Sequence, residues 1–350
     1  MTPHSLSIDP VKLRYRAVIG TGGIGSGAFF ELRGNHTLGR EESRAGRFLD
    51  RRDYCKLHII AHYVQTLLGA GFRTVPLGAV GDDDVGKKLL LEMVEAGLDA
   101  SRVATIADKP TLYSFCFVYP DGSGGNLTTD DSASSHVDGS LIRGAEAEFL
   151  KHRGRGIALA VPEVSLEARR ALLRLGRSYQ LLRSASFTTE ELRDPVGREM
   201  LGDVDFLALN SDEAAAAAGL AFSDGMLPEL VAESAVQRLS EAYPDMLISI
   251  TAGNHGSSSW DGSVLSHCPP CKAEVSSTAG AGDAHFAGIL VGLAAGLPLR
   301  EAQQLGTLMA GLSVTSPHTI NKHIGRESLR AFSASCGLQL ADSVKSLLEA

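Results

Sequence analysis

The chain has 350 residues, enough for one large α/β domain or for two domains. Its formal net charge is −8, from 33 basic and 41 acidic residues, and no run of Lys or Arg could follow a phosphate backbone, so a nucleic-acid partner is not expected. Residues 1–13 lack the apolar core of a signal peptide, no uninterrupted apolar stretch approaches membrane-spanning length, and five scattered cysteines argue against a disulfide framework, which together predict a soluble, cytoplasmic protein.

The first predicted strand, over 15–19, leads into the glycine-rich turn Gly20-Thr-Gly-Gly-Ile-Gly25. The turn matches the dinucleotide pattern G-x-G-x-x-G, so an NAD-dependent oxidoreductase has to be considered. That fold also needs an immediate helix and a second strand that ends in an acidic residue about twenty positions on. Neither follows here, since residues 39–47 are charged and contain no apolar strand. The dinucleotide alternative is therefore disfavoured.

The spacing of apolar residues predicts a helix over 53–68. Arg52 and His58 at its start belong either to a solvated helix end or to a substrate pocket. A strand over 74–80 is followed by three aspartates at 82–84, which are expected to cap a helix over 87–96. Aromatic and β-branched residues over 111–119 and a second run over 125–129 predict a hairpin with its turn at 120–122.

From residue 156 onward, strands and helices alternate, which predicts a parallel sheet covered by helices. Strands are expected over 157–161, 179–182, 206–210 and 246–251, and helices over 165–175 and 189–200. Two of these strands end in polar motifs, at the sheet edge where open α/β folds bind ligands. One motif, with Asn210 and Glu213, is either a ligand site or a helix cap. The other contains Thr251, Gly253 and Gly256, and its glycines would admit a nucleotide to the backbone.

Another motif, Ser277-Thr-Ala-Gly-Ala-Gly-Asp283, opens an apolar helix over 284–296. Gly280, Ala281 and Gly282 carry almost no side chain, so their N–H groups could close around an anion with support from the helix dipole. Asp283 at this position is either a helix cap or a general base that takes a proton from a hydroxyl.

These motifs, in this order, resemble those of the ribokinase-type (PfkB) carbohydrate kinases. The resemblance implies a three-layer αβα domain over 14–345 with a mostly parallel central sheet, and a small β lid formed by segments 28–40 and 109–130. It also implies ATP and Mg²⁺, with Asn210 and Glu213 holding hydrated Mg²⁺ and Thr251, Gly253 and Gly256 binding the nucleotide. Asp283 would be the base, and the Gly280–Gly282 turn the anion hole. A second helix over 298–314 and the loop over 315–318 correspond to the adenine wall and monovalent-cation loop of the family.

The acceptor half departs from the family pattern. The Asp that usually follows the first strand is missing from residues 22–27, and the usual Gly-Gly and Asn before the first helix are replaced. Gly25, Arg52 and His58 are the candidate substrate contacts. Ser277 stands where many members have an Asp, which leaves K⁺ doubtful as an activator.

The expected function is ATP-dependent transfer of the γ-phosphoryl group to a hydroxyl of a sugar or sugar-like acceptor. A nucleoside kinase of the same fold and a nucleotide-binding protein that has lost catalysis remain as alternatives. Lids in this family often pair, so the resemblance also implies a homodimer through the lid.

Overall fold

The computed structural model describes residues 4–121, 124–220 and 226–349. Part of the hairpin turn expected at 120–122 therefore lies outside the described residues. The strands are β1 (Ala17–Thr21), β2 (Gly25–Leu32), β3 (Gly46–Tyr54), β4 (Arg73–Leu77), β5 (Ala79–Gly81), β6 (Ala104–Ile106), β7 (Leu112–Val118), β8 (Gly124–Thr128), β9 (Gly156–Ala160), β10 (Leu182–Ala185), β11 (Phe206–Asn210), β12 (Leu247–Thr251), β13 (Ser257–Trp260) and β14 (Leu265–Cys268). The α-helices are α1 (Lys56–Leu68), α2 (Asp84–Glu95), α3 (Gly139–Arg143), α4 (Glu146–Lys151), α5 (Leu166–Ser178), α6 (Thr189–Arg193), α7 (Pro195–Met200), α8 (Ser211–Ala217), α9 (Pro228–Ala242), α10 (Ala281–Ala294), α11 (Leu299–Ser313), α12 (Arg326–Ser333) and α13 (Asp342–Leu348).

The large sheet has eight strands in the order β14-β13-β12-β11-β10-β9-β1-β4. Its strands pair in parallel from β12 to β4, and β13 and β14 add an antiparallel edge. β1 and β9 are buried along their whole length, as expected for a parallel sheet covered on both faces. Residues of β9 alternate between two hydrophobic clusters, one on each face. The expected three-layer α/β fold is confirmed.

Two helices on one face hold the glycine-rich turn in place. α10 is apolar and buried, and it packs against α11 through Gly288 and Gly306. A Cβ built on Gly288 would come 2.5 Å from the Cα of Gly306, so the two helix axes approach more closely than larger residues would allow. The N-terminus of α10 is therefore fixed by packing along the length of the helix.

A second sheet of four strands, in the order β3-β2-β7-β8, stands apart from the large one. We refer to it as the lid. Segment 109–130 supplies β7 and β8, whereas segment 28–40 supplies only part of β2. A fourth strand, β3, lies where the sequence indicated a charged segment and the start of a helix. Asp53 belongs to this strand, and the first helix begins three residues later, at Lys56.

Long-range contacts explain why β3 forms. It pairs with β2 over six residue pairs, and Thr319 fixes its end: the Thr319 N–H donates to the Arg52 carbonyl at 3.1 Å, and the Tyr54 N–H donates to Thr319 Oγ1 at 3.0 Å. Strand β2 and Thr319 both lie outside the local sequence of β3, so local β-propensity does not predict this strand.

Two further differences have local causes. β10 begins at Leu182 instead of residue 179, because α5 continues to Ser178 and Gln180 then turns the chain with a φ of 58°. The turn after β1 enters strand β2 and not a helix, which removes the structural context that a dinucleotide site requires. None of the helices within the described ranges is long and apolar enough to cross a membrane.

Candidate active site

A cavity of about 760 Å³ opens at the carboxyl ends of β11 and β12. Asn210 and Thr251, the last residues of these two strands, pair directly. The structure brings together in the lining of this cavity the nine donor-side residues expected from sequence: Asn210, Glu213, Thr251, Gly253, Gly256, Gly280, Ala281, Gly282 and Asp283. The carboxyl ends of parallel strands lie at the same edge of the sheet, so residues far apart in sequence meet there.

The turn before α10 requires glycine at position 280 and is open at position 282. Gly280 has a φ of 80°, and a Cβ on it would come 2.6 Å from the Thr319 carbonyl oxygen. Nothing lies within 4 Å of a Cβ built on Gly282, so the backbone is open there. The first regular helical bond runs from the Ala284 N–H to the Gly280 carbonyl at 2.9 Å. The N–H groups of Gly282 and Asp283 precede it and are available to an anion.

Ala281 differs from this pattern. Its N–H donates to the Thr278 carbonyl at 3.2 Å, which closes the turn. The Ala281 N–H could bind an anion only by breaking this hydrogen bond or by donating to both acceptors at once. The sequence could not indicate this, because the bond depends on the path of residues 277–280.

Asn210 and Glu213 form a reciprocal capping box at the start of α8. Asn210 Oδ1 accepts the Glu213 N–H at 2.8 Å, and Glu213 Oε2 accepts the Asn210 N–H at 2.8 Å. Burial raises the pKa of Glu213, while Lys56 opposes the shift. One carboxylate and one amide fit Mg²⁺, which keeps most of its water and takes its other ligands from phosphate. Among the described residues, no group of three or more Asp, Glu, His or Cys side chains is placed to hold a metal ion.

The loop after β12 is shaped by two glycines in left-handed conformations. Gly253 and Gly256 have φ values of 55° and 85°. A Cβ on Gly256 would come 2.2 Å from the Cys268 carbonyl oxygen, so only glycine fits. The Ala252 N–H donates to the Gly256 carbonyl at 2.8 Å and closes the loop. Backbone therefore forms this wall of the cavity.

Lys56, which the sequence did not indicate, contacts the candidate base. Its Nζ lies 3.3 Å from Asp283 Oδ1, and the lysine also lines the cavity. The Asp283 carboxylate, followed by those of Glu213 and Glu163, raises the pKa of Lys56 against the opposing effect of burial. Lys56 is therefore a cation at the junction of the donor and acceptor sides.

Glu163 is a second residue that sequence reasoning missed. It follows β9 and has a φ of 77°, a strained conformation for a residue with a Cβ, of the kind found at functional sites. Its Oε2 accepts the Lys56 N–H at 3.3 Å. Burial raises the pKa of Glu163 to about 7, and Lys56 limits the shift. Its position after the buried strand predicted at 157–161 was the signal that could have found it.

The three acceptor candidates lie elsewhere. Arg52 Nη1 is 3.5 Å from Glu92 Oε1 on α2. His58 is buried with its ring against Tyr54, and burial lowers its pKa to about 3. Gly25 opens β2, where a Cβ would come 2.4 Å from the Leu112 carbonyl oxygen. None of these residues lines the cavity that contains Asp283.

Relatives support a kinase lineage without identifying the substrate. A bifunctional HldE protein of Methylobacillus flagellatus is 25% identical over 264 residues, which are 74% of this chain and 52% of that protein, so the chain spans about half of its length. A fructoselysine 6-kinase of Shigella flexneri is 25% identical over 240 residues, covering 67% of this chain and 80% of that protein. The solved ribokinase of Cryptococcus neoformans, in complex with ADP, has a TM-score of 0.72 at 19% identity, covering 91% of this chain and 99% of that one. At this identity the last match shows the fold alone.

The profile of the pfkB family of carbohydrate kinases matches residues 60–324, well over half of the chain. The match ends beyond the turn that carries Asp283 and includes the motifs that begin at Asn210 and Thr251. The chain therefore belongs to the pfkB family of carbohydrate kinases.

Proposed function

We propose that the protein transfers the γ-phosphoryl group of ATP to a hydroxyl of a sugar or sugar-like acceptor, with Asp283 as the general base. The observation that carries the proposal is the position of Asp283. It lies in the first turn of α10, beside N–H groups free to bind an anion, and it contacts Lys56 in the cavity that the nucleotide motifs line. A carboxylate beside an anion site is unfavourable unless it handles a proton or a cation.

The reaction follows from this arrangement. The Asp283 carboxylate accepts the proton of the acceptor hydroxyl, and the oxygen bonds to the γ-phosphorus as the bond to the β-phosphate oxygen breaks and ADP leaves. The N–H groups of Gly282 and Asp283 and the Lys56 ammonium stabilise the negative charge on the transferring group. Mg²⁺, held through water by Asn210 and Glu213, would neutralise charge on the phosphate oxygens.

Asp283→Asn tests the proposal. The substitution keeps the size of the side chain and removes its basicity, so turnover should fall about 10²–10⁴-fold while ATP·Mg affinity changes little. Turnover is measured as ADP release with a panel of sugars and nucleosides, and affinity by titration calorimetry. Asp245 is an exposed carboxylate just before β12, at the end of the strand away from the cavity. Asp245→Asn is the matched control and should leave turnover and ATP·Mg affinity unchanged.

The result also separates the alternatives. A variant that keeps a tenth or more of the parental turnover would contradict the role of Asp283. If the parent binds ATP·Mg but turns over no sugar or nucleoside, the nucleotide-binding protein without catalysis is favoured. Turnover confined to nucleosides would make this a nucleoside kinase.

A further inference from the structure

The turn after β1 has no room for a carboxylate that could recognise the acceptor. A Cβ built on Gly22 would come 2.3 Å from Cγ2 of Val161, and one on Gly23 would come 2.5 Å from the side chain of Glu163. Close-packed interiors do not admit such contacts. Recognition of the acceptor must therefore come from other residues.

Asp53, on lid strand β3, is a buried carboxylate without a cationic partner. It is only 8% exposed, and none of the ion pairs within the described residues includes it. The Cys116 thiol, a weak donor, lies 3.5 Å from its Oδ2. Burial raises the pKa of Asp53, Ser114 and Cys116 oppose the shift, and the charge of Asp283 adds to it. The Tyr54 backbone also opposes the shift through a hydrogen bond, so the carboxylate has neutral donors but no cation to offset its removal from water.

Glycine at position 27 lets the Asp53 carboxylate lie directly against strand β2. Gly27 lies between Asp53 on one neighbouring strand and Ser114 on the other. A Cβ on Gly27 would come 2.7 Å from Asp53 Oδ2 and 2.9 Å from the Cβ of Ser114. On the next strand, Asn126 Oδ1 accepts the Ser114 hydroxyl at 2.6 Å. We call this polar group, formed by Gly27, Asp53, Ser114, Cys116 and Asn126, the lid notch; Gly27 and Cys116 are half-buried and Asn126 is exposed.

Negative charge exceeds positive charge on this side of the site. The Cys55 thiol has a pKa raised first by burial and then by Glu163, Asp53 and Asp283, so these three acids surround one point of the chain. Lys56 pairs with a different carboxylate, since its Nζ lies 3.3 Å from Asp283 Oδ1. Arg51 lies over the Phe29 ring, 5.8 Å from its centroid. Neither cation is paired with Asp53.

We propose that Asp53 recognises the acceptor, and that the acceptor is a polyhydroxylated compound carrying a protonated amine, which binds in the lid notch as the counter-ion of this carboxylate. The inference rests on the proposed kinase function. An ammonium group supplies both the charge and the strong donors that the buried carboxylate lacks. A sugar acid or sugar phosphate would bring a second negative charge to the same place.

Matched pairs of acceptors test the inference in the wild-type protein. Initial rates of ADP release are measured with 1-amino-1-deoxyfructose against fructose, with glucosamine against glucose, and with gluconate as an anionic compound. For at least one pair, kcat/KM should be at least about tenfold higher for the amine, the order of discrimination that one desolvated charge pair provides. Asp53→Asn should abolish the difference mainly by raising KM for the amine, while ATP·Mg affinity is kept.

Asp50→Asn is the matched control, because Asp50 is an exposed carboxylate on the same strand. It should leave the preference intact. Preferential turnover of neutral sugars or of gluconate, abolished by Asp283→Asn, would overturn the role of Asp53 and leave the kinase function standing. ATP·Mg binding without turnover of any compound would overturn both. The wild-type comparison decides the matter even if Asp53→Asn does not fold.

Discussion

Lys56 is shared by three carboxylates from three parts of the chain. Asp283 is the strongest influence on its pKa, and Glu213 and Glu163 follow. An ammonium group surrounded in this way stays charged through the pH range in which the protein works, so it can stabilise the transferring phosphoryl group without a change of protonation. Its neighbours also explain its absence from the sequence prediction, since all three are far away along the chain.

Glu163 predicts a pH dependence of stability. Its pKa is about 7 in the folded protein, against an ordinary value of 4.5, so the folded state holds a proton that the unfolded chain releases between these values. The free energy of unfolding therefore falls as pH rises from 4.5 to 7. The destabilisation caused by ionising Glu163 in the folded protein is complete above pH 7 and absent below pH 4.5. Glu163→Gln cannot ionise and should be the more stable protein at pH 8, by on the order of 1–3 kcal/mol.

Urea unfolding of both proteins at pH 4.5 and pH 8 measures this effect. Glu167→Gln, on the exposed surface of α5, is the control and should give the same small change at both values. A stabilisation by Glu163→Gln that is equal at the two pH values would show that packing, and not ionisation, separates the variant from the parent.

Local sequence predicts the turns of this site and fails for its lid. Short sequence motifs determine the capping pair of Asn210 and Glu213 and the left-handed conformation of Gly280. Residue pattern and backbone chemistry are therefore sufficient to predict both features. β3 depends instead on β2 and on Thr319, about 265 residues away. The error at β3 then concealed Asp53 and Lys56, because the helix predicted over 53–68 placed both residues in its first turn.

The loop over 315–318 and Ser277 together predict the response to potassium. Ser277 is buried, its N–H donates to the Val314 carbonyl at 3.2 Å, and its hydroxyl accepts the Ala279 N–H at 3.3 Å. A neutral hydroxyl replaces an anionic ligand here, and hard cations favour anionic oxygen, so K⁺ should activate weakly or not at all. Ser277→Asp restores the charge and should make the rate depend on K⁺.

Initial rates with K⁺ and with tetramethylammonium at constant ionic strength test the prediction. A several-fold rise in the wild-type rate, saturating in the millimolar range, would mean that loop carbonyls alone hold the cation. The tetramethylammonium series is the control for ionic strength, since this ion is too large for such a site.

At the scale of the whole molecule, the lid presents an aromatic outer face. Phe30, Phe48 and Phe115 contact one another with ring centroids 5.1–6.3 Å apart, and Phe48 and Leu127 remain 67% and 62% exposed. Phe115 alternates with Ser114 and Cys116 along β7, so this face lies opposite the lid notch. Exposed aromatic surface on a sheet with a free edge strand favours association.

We therefore expect a homodimer through the lid. Phe48→Arg with Leu127→Arg places two charges on the aromatic face and should give a monomer. Leu91→Arg, an equally exposed leucine on α2, is the control and should leave the dimer intact. Sedimentation velocity at working concentration measures the state of each protein, and a monomeric parent would contradict the prediction.

One residue, Cys55, separates the end of β3 from the first residue of α1. The lid is thus joined directly, through one buried cysteine, to Lys56, whose ammonium group contacts Asp283. A displacement of the end of β3 would therefore reach Lys56 through the backbone, without a relay of side chains. We expect that an acceptor bound beneath the lid would thereby also set the position of Lys56 beside Asp283. For the proposed kinase reaction, we expect this connection to disfavour phosphoryl transfer to water when no acceptor is bound.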